Sequence, residues 1–231
     1  MVSVSSLAPV LFVLVFVAIV GLVIWLFVRS NRRDKTMRDE TVGGDLAALA
    51  AERGWSYQPE NVGYLDQFSG LPFGGARGHR ALQLVSGTYR GREFSCLQYV
   101  TDTSSYTGDG GGYQRYYRVF TIGLPVPRPQ LQVIAMQKAQ AMRKFTTGDA
   151  EFDQVFTVAS EDDRFTADVL TAPNRQWLLG DRRARELPFR FEGGHLLTWF
   201  EQKDRFDPVS VEPVLDYLCD LLDRVAPDAL R

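Results

Sequence analysis

Soft metal ligands are scarce in this 231-residue chain, which has two cysteines and two histidines and no His-x-x-x-His spacing. That is too few to frame a zinc site. A basic surplus is also missing: the net charge is −2 and the isoelectric point near 5.8, which argues against a general nucleic-acid binder. Lysine is rare, with 4 of the 26 basic residues, a bias of composition rather than chemistry. There is no low-complexity tract; 45% hydrophobic and 12% aromatic residues describe a folded chain and exclude a disordered scaffold. A phosphate cradle is missing too. The one glycine cluster, Thr107-Gly108-Asp109-Gly110-Gly111-Gly112, lies between two expected strands and runs into Tyr113 and Gln114. A phosphate loop needs a helix start with Lys-Ser/Thr there, so the cluster reads as a hairpin loop.

What the sequence does contain begins at its N-terminus. From Val2 to Val28 no side chain is charged, and Leu7–Val28 is a 22-residue apolar run. As a helix it spans ~33 Å, about the hydrocarbon thickness of a bilayer. Ser5 and Ser6 suit its start, Pro9 its first turn and Trp25 the headgroup boundary. A cleaved signal peptide would have a basic segment before a shorter core, and a small-residue cleavage site after it. Here Arg29, Arg32, Arg33, Lys35 and Arg38 all follow the run. The expectation is a permanent single-pass anchor with its N-terminus outside and the following domain cytoplasmic. Residues 1–28 are the expected anchor, 29–44 a basic juxtamembrane linker and 45–229 the cytoplasmic domain. Beyond residue 40 there are 21 basic against 25 acidic residues, so that domain is mildly acidic.

Within it, Asp45 caps an expected helix from Leu46 to Arg53 that Gly54 stops. Trp55 and Tyr57 alternate as in a strand, and Asn61–Phe68 has the composition of a helical turn or two. Leu82 to Ser86, a turn at Arg90-Gly91-Arg92 and Phe94–Val100 form a hairpin. A third strand, Arg115–Gly123, is expected to end at Pro125, Pro127 and Pro129, with Leu131–Ala135 as a fourth. Gln137–Phe145 has helical composition. Phe152, Val155, Phe156 and Val158 suggest a strand or packed turn. Helices are expected over Arg164–Leu170 and Pro173–Leu179, and Phe189–Phe200 reads as a hairpin turning at Glu192-Gly193-Gly194. The last element is an amphipathic helix capped by Asp207-Pro208, with Val211, Val214, Leu215, Leu218, Leu221, Leu222 and Val225 as its stripe. Hairpins beside helices, without βαβ alternation, give an α+β fold of mainly antiparallel sheet.

The runs Ala51-Glu52-Arg53-Gly54-Trp55-Ser56-Tyr57-Gln58-Pro59, Leu71-Pro72-Phe73-Gly74, Tyr89-Arg90-Gly91-Arg92-Glu93-Phe94 and Phe191-Glu192-Gly193-Gly194 occur in that order. Behind an N-terminal anchor, this arrangement resembles a group of single-pass membrane-anchored proteins common in actinobacteria, built on a domain of unknown function. The resemblance covers most of the chain and implies no activity and no functional residues.

The candidate chemistry is sparse. Cys96 and His195 suggest a nucleophile–base pair, but Cys96 lies in an apolar run and reads as a small core residue, as does Cys219. A disulfide between them would need an oxidising compartment. Asp149, Glu151, Asp153, Glu161, Asp162 and Asp163 raise a glycosidase or cation-site question, which helix-start capping answers for the last three. Arginine and tyrosine interleave over Tyr113–Phe120. An anionic-ligand surface, for a phosphoinositide-like headgroup or an acidic peptide, is drawn through Arg77, Arg80, Arg90, Arg92, Arg115 and Arg118. No catalytic, cofactor or metal residue is expected, and no nucleic acid. The expected partners are the bilayer, through residues 7–28, and a protein at the membrane. The reading is a non-catalytic recruitment or scaffolding module that docks through a sheet edge or its Arg/Tyr surface. The alternatives are an enzyme acting on a membrane-proximal substrate, and a lipid-headgroup domain resembling the pleckstrin-homology fold in element order.

Overall fold

The computed structural model describes residues 44–73, 79–103, 113–135, 144–202 and 206–230. The expected anchor, its linker to residue 43 and the glycine cluster at 107–112 lie outside them. Among the described residues no helix is long and apolar enough to cross a membrane.

The chain folds around one long strand. Helix α1 (44–53) ends at Gly54, whose φ of +68° is the left-handed stop that glycine provides. Strand β1 (Ser56–Glu60) and a 3₁₀ turn (Tyr64–Gln67) follow, then β2 (Arg80–Tyr89) and β3 (Arg92–Thr103) as the expected hairpin. Strand β4 (Tyr113–Ala135) has 23 residues. After it come β5 (Lys144–Phe145), α2 (Ala150–Val155), β6 (Phe156–Ser160), α3 (Asp163–Val169), α4 (Ala172–Gly180), α5 (Arg182–Glu186), β7 (Phe189–Glu201) and α6 (Val211–Arg224). The seven strands form one sheet in the order β1-β2-β3-β4-β6-β5, with β7 also on β4. Every pairing is antiparallel. The α+β class expected from the sequence, with its C-terminal helix, is the fold observed.

Three expectations are corrected. First, 115–123 and 131–135 are one strand, not two. β3 pairs with β4 as far as Ile122 and β6 begins at Leu131. Pro125, Pro127 and Pro129 fall in the gap between those partners, so their missing N–H groups break no ladder on that side. Second, Glu192-Gly193-Gly194 does not turn. β7 continues through it along β4, and Gly193 (φ +54°) takes up the irregularity where Arg128 faces it. Third, Lys144–Phe145 is a short strand on β6 rather than the end of a helix; residues 136–143 lie outside the described set. The stretch 150–160 splits into α2, capped by Asp149, and β6, while α5 has no counterpart in the sequence reading.

One sheet face presents Ala81, Leu84, Leu97, Tyr99, Val119, Leu197 and Trp199, and Leu65, Phe68 and Phe73 pack over it from the segment after β1. The opposite face carries Cys96, Phe120, Ile122 and Leu196, all buried. Helix α6 contacts β4 and β7 and buries its whole expected stripe, Val211 through Val225. Asp207 accepts from the Val209 N–H at 3.0 Å, so the cap serves a 3₁₀ turn (Pro208–Ser210) that leads into α6.

Trp55 closes the edge of the hairpin. Its indole N–H donates to the Thr88 carbonyl at 3.3 Å, and its ring meets Phe94 edge-on at 4.7 Å. A Cβ on Gly87 would sit 2.4 Å from that ring. Gly87→Ala therefore displaces Trp55, at a cost of about 2 kcal/mol. Chemical denaturation should show that loss together with changed tryptophan fluorescence; unchanged stability would mean the ring moves aside freely.

Candidate functional site

Of the six arginines proposed from the sequence, the five that the structure describes do not form one surface. Arg77 lies outside the described residues. Arg80 opens β2 and is exposed, whereas Arg90 and Arg92 stand at the other end of the β2–β3 hairpin, ~30 Å away along the strands. Arg115 is half-buried, with its guanidinium 3.5 Å from the Tyr117 hydroxyl. Arg118 is not on the surface at all. It is 0% exposed, with its guanidinium 4.8 Å over the Phe206 ring.

Arg90 and Arg92 are paired within the chain at the surface. Arg90 sits at the tip of the two-residue turn with φ +49°, followed by Gly91 at +77°, the left-handed pair such a hairpin needs. Its guanidinium reaches Asp220 at 2.8 Å, Asp223 at 2.6 Å and Asp216 at 3.4 Å on α6. Arg92 shares Asp223 at 2.6 Å, and Tyr89 donates to Asp216 at 3.0 Å. From α5, Arg183 joins Asp220 at 2.8 Å and Asp181 at 2.7 Å. The carboxylates recur at i, i+4 and i+7, one helical face, so four of the chain's cationic and phenolic groups clamp the hairpin and α5 to α6. Burial raises the Asp220 pKa, but hydrogen bonds from Arg90 and Arg183 outweigh it and hold the group below its ordinary value. Asp181 behaves likewise through Arg183. Burial and the Asp216 contact push Tyr89 up to about 12.

A second ionic group is fully enclosed. Arg190, 0% exposed, donates to the Leu71 carbonyl at 2.7 Å and pairs with Glu192 at 2.8 Å. Its guanidinium lies 5.1 Å from the Trp199 ring. Glu192 also accepts from the Ser69 N–H at 3.0 Å and from the Ser69 hydroxyl. Together they pin residues 69–73 onto β7. Burial lowers the Arg190 pKa and Glu192 opposes this.

Beside that pinned segment the same sheet face opens into a groove of about 550 Å³. Its floor follows from register. Ser56, Ser86, Ser95 and Thr121 are consecutive cross-strand partners over β1, β2, β3 and β4, a row of hydroxyls ~14 Å long at ~4.8 Å per strand. In the neighbouring row Thr88 faces Glu93 and Gly123 faces His195, and Glu93 leans over Gly123. Tyr64 and Gln67 complete the lining. The Tyr64 hydroxyl is 2.9 Å from that of Thr121; burial raises its pKa, while hydrogen bonds to Ser95 and Thr121 oppose this. His195 is half-buried, with Phe68 edge-on at 5.3 Å. Burial lowers its pKa and the nearby Glu192 charge opposes that, so the ring is neutral at pH 7. The sequence reading did not find this groove. Its residues are single hydroxyls on separate strands, and only the register aligns them.

The remaining candidates are structural. Cys96 and Cys219 are free and buried, and burial pushes both thiols up. Asp149 and Asp162 cap α2 and α3 through the N–H groups of Phe152 and Phe165, and Asp149 also pairs with Arg175 at 3.0 Å. Asp153 accepts from the Thr147 N–H and hydroxyl, and Glu161 from the Gln130 N–H at 3.2 Å. Among the described residues no group of three or more His, Cys, Asp or Glu could hold a metal ion.

The clamp makes stability fall in acid. Asp181 and Asp220 titrate below their ordinary value in the folded chain, so the unfolded chain binds more protons as the pH drops. Their contribution is complete above about pH 5 and is lost as the pH falls through the lower folded values. Melting temperatures measured from pH 6 to pH 3 should drop less steeply in Asp220→Asn than in the wild type. Replacing the turn residue separates backbone from charge. Arg90→Ala should be less stable than Arg90→Gly by about 1 kcal/mol, because alanine resists the positive φ; equal melts would show that the turn carries no strain.

No protein-family model and no curated protein matches the chain. Among solved structures, the crystal structure of the mycobacterial trehalose monomycolate transport factor A, TtfA, is similar in fold, with a TM-score of 0.58 at 13% sequence identity, covering 80% of this chain and 96% of that one.

Proposed function

We propose that the protein is a membrane-tethered, non-catalytic accessory factor that works beside a membrane transport system. The observation that carries the tether is the uncharged run ending at Val28 and the five cations that follow within ten residues. A 22-residue apolar helix matches the hydrocarbon thickness, and the cations favour retention on the cytoplasmic side. On this reading the domain from residue 45 onward faces the cytoplasm.

The accessory role is supported by the likeness to TtfA, which is described as a transport factor and whose chain is matched over 96% of its length. That neighbour is mycobacterial, in keeping with the actinobacterial resemblance drawn from the sequence. The distribution of charge supports a protein partner over a lipid one. Arg90 and Arg92 are already engaged by three aspartates and Arg118 is buried against Phe206, so an anionic headgroup would have to displace existing pairs.

The full chain should fractionate with membranes and the variant lacking residues 1–28 should not. Protease added to intact spheroplasts should leave the domain whole, and removal of the bulk of the chain would overturn the orientation. Isolation of the tagged full chain in mild detergent should recover a polytopic transport protein, identified by mass spectrometry. Repeated recovery of the bare chain would count against the accessory role.

A further inference from the structure

We propose that the groove binds a small molecule carrying a primary ammonium group on a hydroxylated body, with the ammonium seated over Gly123 between Glu93 and His195. The inference goes beyond the accessory role and holds whichever way the domain faces.

Three observations converge on that point. The first is an unused charge. Among the described residues the side chain of Glu93, which is exposed, makes no hydrogen bond or ion pair, although every carboxylate of the neighbouring α6 clamp is engaged. Its Oε2 lies 4.0 Å from where a Cβ of Gly123 would stand. An acceptor held over an open notch suits a cation, because a charge-assisted hydrogen bond is roughly twice as strong as a neutral one.

The second is the notch itself. Gly123 has no left-handed φ, and a Cβ there would make only ordinary contact, 3.6 Å from the Glu93 Cβ. Packing therefore does not require glycine, although the ladder irregularity that begins at Gly123 favours one. A strand glycine beside such an irregularity also leaves a place for a ligand to approach the backbone closely. Here that place lies directly between a carboxylate and an imidazole on adjoining strands.

The third is the sign and texture of the lining. Among the described residues no lysine or arginine lines the groove, which disfavours phosphate and carboxylate ligands. Burial favours the neutral form of His195, whose one lone pair can accept from an ammonium while its N–H can donate to a ligand hydroxyl. The hydroxyls of Ser56, Ser86 and Ser95 then form a row beside the notch that both donates and accepts, matching a hydroxylated body, while that of Thr121, buried and bonded to Tyr64, shapes the floor. The volume of about 550 Å³ falls within the usual range of small-molecule sites and admits an aminosugar-sized ligand.

Glucosamine is the probe, titrated calorimetrically into the full chain in detergent, with glucose, N-acetylglucosamine and glucose 6-phosphate as comparisons. Saturable binding of glucosamine is expected, at least tenfold weaker binding of glucose and N-acetylglucosamine, and none of glucose 6-phosphate. Glu93→Gln and Gly123→Ala should each weaken glucosamine at least tenfold while melting within a few degrees of the wild type; Glu60→Gln, on β1 outside the groove, should leave binding unchanged. The ligand series on the wild-type chain decides the matter even if a variant fails to fold. Equal binding of glucose or glucose 6-phosphate, undiminished binding by folded Glu93→Gln, or no saturable glucosamine binding would overturn the proposal.

Discussion

Backbone hydrogen bonding along β4 is the constraint from which the rest of the domain follows. A 23-residue strand in an interior position must find partners on two edges, and no single neighbour is that long. β7 covers one edge from Tyr117 to Val133, while β3 and β6 divide the other, leaving the stretch from Gly123 to Gln130 between them. The three prolines occupy that interval, where they lose no ladder bonds to β3 or β6. Gln130 and Glu161 close its far end, each donating its N–H to the other residue, one to a side chain and one to a carbonyl. Proline placement and strand length are thus two sides of one arrangement, and Gly123, where β3 leaves off, lies between Glu93 and His195 on the flanking strands.

Electrostatics divides the molecule into engaged and open parts. The acidic side of α6 would be an attractive basic-peptide surface if the hairpin arginines did not occupy it. Those arginines would in turn be an attractive anion surface without α6. Each cancels the other, and the pairs contribute modestly to stability because they are partly exposed. Arg190 differs: fully enclosed, it depends on Glu192, the Leu71 carbonyl and two aromatic rings, and removing one partner of such a buried pair costs several kcal/mol. It holds residues 69–73, the stretch that follows the groove-lining Tyr64 and Gln67.

Periodicity made the local elements legible and left their partners hidden. The stripe of α6, the stop at Gly54, the β2–β3 hairpin and the caps at Asp162 and Asp207 were all readable because each depends on residues within one or two turns of one another. The errors came where a distant strand decided. Pro125, Pro127 and Pro129 read as a strand end because the sequence does not reveal that β3 and β6 stop short of them. Glu192-Gly193-Gly194 read as a turn because its glycines relieve an irregularity opposite Arg128 instead. Arg118 read as surface since arginine is seldom enclosed; the Phe206 ring that covers it comes nearly ninety residues on. The groove was invisible for the same reason, being made of one small residue from each of several strands.

Strand β1 ends the sheet, and its composition governs what can happen there. It is short and largely exposed, and it carries Pro59 and Glu60. A proline contributes no backbone donor and a carboxylate resists close approach by another acidic chain, so this margin is a poor template for a further strand. Docking by extension of the sheet, one of the modes suggested by the sequence, is therefore disfavoured at β1. Crowding many copies together would bring such margins into frequent contact, and this one is built so that those collisions stay fruitless.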